Sequence, residues 1–171
     1  LKKFPLIFLT AGNQGSTHLN QTLKQILPKL TQKFTIIHQS GALDFPEYQS
    51  LQKKFLHYYP QAYIDSQDIG WIFHHSSLII SRAGANTIQE IAALKLKSIV
   101  IPLPVSQQNE QLKNALWLKK HLPETTFIIK DRQLSGKKLL SIITKATSLP
   151  AHLSATNKAT PNLKLLNLIK R

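Results

Sequence analysis

Residues 81–90, SRAGANTIQE, join an apolar segment to a helical pattern through a glycine. The preceding segment LII, residues 78–80, is typical of a buried parallel strand, and residues 87–96 have the spacing of a helix. Gly84 lies between them, where the lack of a side chain permits a tight turn and a close approach of the backbone to a ligand. The first amides of a helix can bind a phosphate, and Glu90 can accept hydrogen bonds from ribose hydroxyls. The stretch therefore predicts a nucleotide site at the end of a parallel strand.

Short apolar segments alternate with helical patterns along the rest of the chain. Strands are predicted at residues 4–10, 34–39, 62–64, 78–81, 98–102 and 126–130. Helices are predicted at residues 19–30, 46–58, 69–75, 87–96, 110–121 and 135–147. Because crossovers between parallel strands are right-handed, this order predicts an α/β fold, a Rossmann-like parallel sheet with helices on both faces. Residues 1–150 are expected to form the body of one domain, and residues 151–171 a connector and C-terminal helix of the same domain.

The composition limits the classes of function. The 171 residues include 22 Lys and Arg against 8 Asp and Glu, and the net charge of +14 favours nucleic acid, phospholipid headgroups or phosphorylated ligands as partners. The basic residues are spread in doublets, which is equally typical of a solvated surface. The absence of cysteine excludes disulfides and thiolate metal sites, and no apolar run approaches the roughly 18 residues of a membrane span. The chain begins at Leu1 and contains no methionine, so we expect it to be a piece of a longer protein.

Four glycines follow the carboxyl ends of predicted strands, the edge at which open α/β sheets bind ligands: Gly12, Gly15, Gly41 and Gly84. The first loop, AGNQGS at residues 11–16, loosely resembles a phosphate-binding loop but fits neither the GxGxxG nor the Walker A pattern. A tight turn between a strand and a helix is the commoner reason for such a glycine pair. The loop alone is therefore weak support for a phosphate site.

A second polar cluster, QQNEQLKNA at residues 107–115, follows a predicted strand. Gln111 and Asn114 share a helix face, so their amides can bracket sugar hydroxyls, although a polar helix start whose amides cap the backbone is the alternative. His38 ends a predicted strand, where it either contacts a ligand or satisfies a turn. The adjacent His74 and His75 point to different helix faces, which disfavours a metal site.

Taken together, these motifs resemble a known family. The loop AGNQGS with LNQT at residues 19–22, HQSG at 38–41, residues 81–90, and the pair Gln111 and Asn114 look like the ordered motifs of the C-terminal half of the MurG family, the peptidoglycan N-acetylglucosaminyltransferases of glycosyltransferase family 28. The resemblance extends over roughly residues 4–121. It implies one half of a GT-B glycosyltransferase, with residues 1–150 as its Rossmann-like nucleotide-sugar-binding domain.

The resemblance also implies which residues bind the donor substrate, UDP-N-acetylglucosamine. Glu90 matches the glutamate that holds the uridine ribose, and Gln111 and Asn114 match the amides that contact the sugar. Asn13 would lie near the diphosphate and Ile64 near the uracil. The full implied donor-binding set is Gly12, Asn13, Gln14, Ile64, Arg82, Gly84, Ala85, Asn86, Thr87, Glu90, Gln111 and Asn114. We assign no metal ligand or cofactor to the chain, since helix amides and a basic field can stabilise a leaving diphosphate without a metal. We also assign no catalytic residue, because none of its acids has an evident claim to act as the base.

The implied activity is an inverting, metal-independent transfer of N-acetylglucosamine to a lipid-linked peptidoglycan precursor, from lipid I to lipid II. A missing N-terminal domain would bind the acceptor and supply the base, so this chain is expected to be inactive alone. The expected location is cytoplasmic, peripheral to the inner face of the cell membrane, with an anionic membrane surface as a further partner.

Two alternatives remain open. One is an Alg13-like separate subunit of a two-component N-acetylglucosaminyltransferase. The other is a basic nucleic-acid-binding module, which only the charge favours and no aromatic stacking motif supports. We therefore expect no nucleic acid partner.

Overall fold

The computed structural model describes residues 4–104 and 109–150, which contain a six-stranded parallel sheet. The strands are β1 Leu6–Thr10, β2 Thr35–Gln39, β3 Tyr58–Gln61, β4 Ser76–Ser81, β5 Ser98–Val100 and β6 Thr126–Ile128. Their order across the sheet is β3-β2-β1-β4-β5-β6. The α-helices in these ranges are α1 Thr17–Leu30, α2 Phe45–Gln52, α3 Ser66–His75, α4 Ala85–Ala93, α5 Glu110–His121 and α6 Gly136–Ser148, and a short 3-10 helix spans Asp131–Gln133. The predicted connector and helix at residues 151–171 lie outside the described residues.

Alternating strand residues bury two apolar layers, one on each face of the sheet. Ile7 and Leu9 of β1 belong to a first core cluster with residues of α1 and α6. Leu6 and Phe8 belong to a second core cluster with residues of α3, α4 and α5. Successive side chains of a strand point to opposite faces, so the continuous apolar runs are what a sheet covered on both sides requires. The prediction of a Rossmann-like sheet with helices on both faces is confirmed.

The third strand is the element whose predicted position is wrong. The sequence pattern predicts a helix over residues 46–58 and a strand over 62–64, but α2 covers Phe45–Gln52 and β3 covers Tyr58–Gln61. Two adjacent tyrosines at the start of β3 favour a strand, yet they are followed by Pro60. Proline within a run argues against a strand, because it cannot donate a backbone hydrogen bond. This is why the local pattern misses the strand at residues 58–61 and extends the helix over its start.

Pro60 fits because β3 is an edge strand of the described sheet. The Ile36 amide of β2 donates to the His57 carbonyl, and the Ser40 amide just after β2 donates to the Gln61 carbonyl. In a parallel ladder alternate residues of a strand bond to the same neighbour, so Pro60 occupies a position whose backbone faces away from β2. The sheet therefore needs no backbone N–H at Pro60.

All six strands are parallel, so their carboxyl ends share one edge of the sheet, here called the carboxyl edge. Two loops at this edge, residues 11–16 after β1 and residues 40–44 after β2, pack backbone to backbone. Gly15 and Gly41 have φ of +75° and +83°. A Cβ on Gly15 would overlap the Ser40 carbonyl, and one on Gly41 would lie 2.6 Å from the Gln14 carbonyl oxygen. Only glycine fits either position.

Candidate functional site

The first turn of α4 presents free backbone amides at the carboxyl edge. Within residues 4–104 and 109–150, the amides of residues 85–87 have no hydrogen-bond partner, and the helical ladder begins with the Ile88 amide donating to the Gly84 carbonyl at 3.0 Å. Apart from Gly84 and its two neighbours in the chain, no atom of the described residues lies within 4 Å of the position that a Cβ of Gly84 would occupy. Free amides and the helix dipole together favour an anion at this end of α4.

The structure changes the reason for a glycine at position 84. Gly84 has φ of −65° and ψ of 144°, a conformation open to any residue, so the turn itself does not require glycine. What the absence of a side chain provides is open space beside the free amides. A ligand can therefore approach the backbone closely at this point.

One face of α4 carries three of the predicted donor-binding side chains. Asn86 and Thr87 precede Glu90 by four and three residues, so each is a neighbour of Glu90 on the helix surface. The Glu90 side chain is exposed and forms no hydrogen bond or ion pair with any described residue. Partial desolvation by the surrounding protein nevertheless raises the pKa of its carboxyl. Ala85, the first residue of the helix, is also exposed.

Gln111 and Asn114 on α5 bind the backbone of the loop before α4. The Gln111 Oε1 accepts from the amides of Ala83 at 3.2 Å and Leu103 at 3.0 Å. The Asn114 Nδ2 donates to the Ala83 carbonyl at 3.1 Å. Of the two sequence interpretations, backbone binding is the one that the structure shows, and contact with a sugar stays a prediction. The two amides bring the start of α5 beside the start of α4.

The loop after β1 is held by a chain of side-chain hydrogen bonds. The Thr10 Oγ1 accepts from the Gly12 amide at 3.0 Å and donates to the Gln39 Oε1 at 3.1 Å. The Gln39 Nε2 donates to the Asn13 Oδ1 at 3.2 Å. Gly12 has φ of +78°, and no atom of the described part of the chain beyond its own neighbours lies within 4 Å of where its Cβ would be. Gln14 is exposed. The loop is thus fixed on its protein side and open on the other.

Arg82 directs its guanidinium into the protein. Its side chain is 7% exposed. Nη1 donates to the Asp131 Oδ1 at 2.6 Å and to the Ile101 carbonyl at 3.2 Å, while Nη2 donates to the Ser16 Oγ at 2.7 Å. These partners lie in loops next to the carboxyl ends of β6, β5 and β1. Direct donor binding by Arg82 stays a prediction, whereas its role in joining these loops is visible.

Asp131 is a residue at this edge that the sequence motifs did not single out. Its Oδ2 lies 3.2 Å from the His18 Nδ1, so the carboxylate also contacts the first turn of α1. Burial alone would raise the pKa of the Asp131 carboxyl, but hydrogen bonds and charge from Arg82 and His18 hold it below its usual value. An acid just after the last strand of a parallel sheet lies at the ligand-binding edge, which is the signal that could have found it.

His38 belongs to a buried polar network and makes no contact at an open surface. The Asn20 Nδ2 donates to the Ser40 carbonyl at 2.9 Å and the Asp44 Oδ2 at 2.8 Å, so the Asn20 Oδ1 is the atom 2.9 Å from the His38 Nε2. Nε2 must therefore carry the hydrogen, and Nδ1 accepts from the Tyr58 hydroxyl at 2.7 Å. Burial lowers the pKa of His38 to about 3. Of the two sequence interpretations, the structural role is the one observed.

Ile64 lies in a loop after a different strand from the other predicted residues. It follows the end of β3 by three residues, and β3 is separated from β4 by β2 and β1. Its side chain is 7% exposed and packs in the second core cluster. The other predicted residues lie around the ends of β1, β4 and β5, and the structure brings these together.

The described part of the chain contains no group of three or more His, Cys, Asp or Glu side chains that could hold a metal ion. None of its helices is long and apolar enough to cross a membrane.

Comparison with known proteins places this architecture in a family. Residues 6–171 match the glycosyltransferase family 28 C-terminal domain. A curated relative from Exiguobacterium sibiricum, the UDP-N-acetylglucosamine--N-acetylmuramyl-(pentapeptide) pyrophosphoryl-undecaprenol N-acetylglucosamine transferase, is 32% identical over 178 residues, which cover 98% of this chain and 48% of the relative. The protein of the same name from Lachnospira eligens is 30% identical over 142 residues, which cover 82% of this chain and 38% of the relative. The chain thus spans about half the length of these relatives or less.

Solved structures show the same fold. The crystal structure of Acinetobacter baumannii MurG matches with a TM-score of 0.68 and 24% identity, covering 98% of this chain and 52% of that one. The solution structure of ALG13 matches with a TM-score of 0.61 and 15% identity, covering 98% of this chain and 96% of that one. With a family match over almost the whole sequence and a Rossmann-like sheet of the GT-B type, the chain belongs to the glycosyltransferase family 28 C-terminal domain family.

Proposed function

We propose that this chain is the donor-binding half of a MurG-like glycosyltransferase and that its carboxyl edge binds UDP-N-acetylglucosamine. The observation that carries the proposal is the start of α4, where, among the described residues, the first amides have no partner, the space beside Gly84 is open and the Glu90 carboxylate one turn further along the helix forms no hydrogen bond. Amides suit the diphosphate and the carboxylate suits the ribose diol. One short element thus offers both kinds of group that a nucleotide needs.

The remaining predicted residues surround this element. Gly12, Asn13 and Gln14 belong to the loop after β1, whose open side would adjoin the diphosphate. The Asn114 Oδ1 has no partner among the described residues, which leaves an acceptor for a sugar hydroxyl. Ile64 is proposed to frame the uracil through the backbone of its loop, since its side chain is buried.

The full enzyme, in this proposal, transfers N-acetylglucosamine from UDP to a lipid-linked peptidoglycan precursor by an inverting, metal-independent reaction. The names of the curated relatives support the donor, the acceptor and the transfer of N-acetylglucosamine. The chain covers only 48% of the Exiguobacterium relative, which supports a further N-terminal domain that binds the acceptor. A protein acting on a lipid-linked acceptor would work at a membrane surface, so we place it in the cytoplasm, peripheral to the inner face of the cell membrane.

A titration calorimetry experiment tests the proposed function. UDP and UDP-N-acetylglucosamine are titrated into the 171-residue chain, with ADP as the control for the base. We expect UDP to bind more tightly than ADP, and we expect no transfer to a lipid acceptor by the chain alone. Absence of UDP binding would contradict the donor site, and robust transfer would contradict the assignment as half of an enzyme.

One observation favours a second candidate, an Alg13-like subunit of a two-component N-acetylglucosaminyltransferase. The match to ALG13 covers 96% of that chain, so a protein of this length and fold exists as a separate polypeptide. The gene sequence upstream of Leu1 decides between the two. A second Rossmann-like half with its own glycine loops supports the MurG-like enzyme, and a start codon directly upstream supports the separate subunit.

A further inference from the structure

The ion pair between Asp131 and Arg82 joins loops from four neighbouring strands at the carboxyl edge. Arg82 follows β4, and its guanidinium donates to Ile101 after β5, to Asp131 after β6 and to Ser16 after β1. These four strands are adjacent in the order β1-β4-β5-β6. We propose that Asp131 is a positioning residue, which holds the loop of residues 11–16 and the start of α1 in the arrangement that receives the diphosphate of a nucleotide. The inference rests on the proposed function.

The position of the Ser16 side chain depends on Arg82. The Ser16 Oγ caps α1 by accepting from the Leu19 amide at 3.5 Å, and it also accepts from Arg82 at 2.7 Å. The charge of this guanidinium is compensated by Asp131 at 2.6 Å in a setting where Arg82 is almost fully buried. Without that carboxylate a buried cation is left unpaired, so the guanidinium must shift or draw in water. The hydrogen bond from the guanidinium to the Ser16 Oγ is then displaced as well.

Asp131 is connected to the start of α1 by two routes. Besides the path through Arg82 and Ser16, its Oδ2 lies 3.2 Å from the Nδ1 of His18 in the first turn of α1. The other end of the same loop is fixed by the Thr10 Oγ1, which accepts from the Gly12 amide at 3.0 Å. The loop is therefore held from both sides, and a change at Asp131 releases one side only.

A positioning role differs from a general contribution to stability in which ligands it affects. Hydrogen bonds to a phosphate depend steeply on distance and angle, so a small displacement of residues 11–16 weakens them. Uridine has the base and ribose but no phosphate, and its binding does not use this loop. Asp131→Asn should therefore weaken binding of UDP but not of uridine.

The test is calorimetric titration of UDP and of uridine into the 171-residue chain and its variants. We expect Asp131→Asn to lower the affinity for UDP by about tenfold and to leave the affinity for uridine within about twofold. Asp131→Glu keeps a carboxylate for Arg82, so it should fold even if Asp131→Asn does not. We expect it to lose less affinity for UDP than Asp131→Asn does, again without a change in the affinity for uridine. Leu30→Ala is the matched control: Leu30 is buried at the far end of α1, so its loss should lower the thermal midpoint without changing the UDP to uridine ratio.

The outcomes are distinguishable. A loss confined to UDP in either Asp131 variant supports the positioning role. An unchanged ratio of the two affinities in the folded variants overturns it and leaves the proposed function intact. Failure of the unsubstituted chain to bind UDP overturns the proposed function, and the inference with it.

Discussion

Glu90 is the single side chain on which the donor site most depends. If its two oxygens accept from both ribose hydroxyls, Glu90→Gln keeps the shape but replaces one acceptor with a donor. We expect a loss of about 1–3 kcal/mol in binding, or roughly 5- to 150-fold in affinity for UDP. Calorimetric titration of UDP measures this loss of affinity, and thermal unfolding shows whether the variant is folded.

Gln89→Ala is the matched control for Glu90, because Gln89 is exposed on the same helix one residue away. It should leave the affinity unchanged. If Glu90→Gln also leaves it unchanged, Glu90 is only a surface charge of α4, and the ribose assignment fails.

His38 should make the fold sensitive to acid. Its pKa is about 3 in the folded chain, against an ordinary value of 6.5. Between these values the unfolded chain binds a proton that the folded chain does not, so the free energy of unfolding falls as the pH drops below 6.5. From this residue alone we expect a loss of about 2 kcal/mol between pH 7 and pH 5.

Urea unfolding of the chain and of His38→Gln at pH 7 and pH 5 measures this contribution. The variant loses buried hydrogen bonds and should be less stable at pH 7, but its stability should fall less between the two pH values. Equal pH dependence in the two proteins would show that His38 is not the neutral buried group described above.

At the scale of elements, the close packing of the loops after β1 and β2 predicts unequal costs for two similar substitutions. Gly12 and Gly15 both have positive φ, so alanine at either position costs about 1–2 kcal/mol of stability. Only at Gly15 does the new Cβ also meet the Ser40 carbonyl, whereas at Gly12 it meets no atom. We expect Gly15→Ala to destabilise the chain by at least about 2 kcal/mol more than Gly12→Ala in urea unfolding. Equal losses would mean that the two loops can move apart.

The elements of this fold are predictable where periodicity and turn residues agree. Continuous apolar runs followed by glycine mark β1 and β4, and the helical spacing after each is correct. The predicted position of β3 is wrong because the property that makes Pro60 acceptable, its position on the outer side of an edge strand, depends on sheet order. Sheet order is a long-range property that no local pattern contains.

The site is predictable as a place but less so in its contacts. Parallel strands alone bring residues 11–16, 81–90 and 111–114 to one edge. The sequence could not show that Arg82 turns inward to Asp131, since these residues are 49 positions apart. It also could not separate amides that bind a backbone from amides that bind a sugar, because Gln111 and Asn114 have the same chemistry in both roles.

For the molecule as a whole, the net charge of +14 predicts salt-sensitive association with anionic membranes. Each Lys or Arg near an anionic surface contributes about 1 kcal/mol, and salt screens this attraction beyond a Debye length of about 8 Å at physiological ionic strength. We expect the chain to sediment with phosphatidylglycerol vesicles at low salt and to be released as salt rises. Phosphatidylcholine vesicles are the control, and equal, salt-independent sedimentation with both would contradict the prediction.

The proline in β3 has a consequence for how copies of this chain meet one another. The outer side of an edge strand offers unpaired backbone groups, which can recruit a strand from another molecule and start aggregation. β3 is only four residues long, and its outward backbone position at Pro60 has no hydrogen to donate. A strand from another molecule would therefore lack a backbone donor at Pro60, in the middle of β3. The edge of the folded sheet therefore resists the addition of a strand from a second copy of the chain.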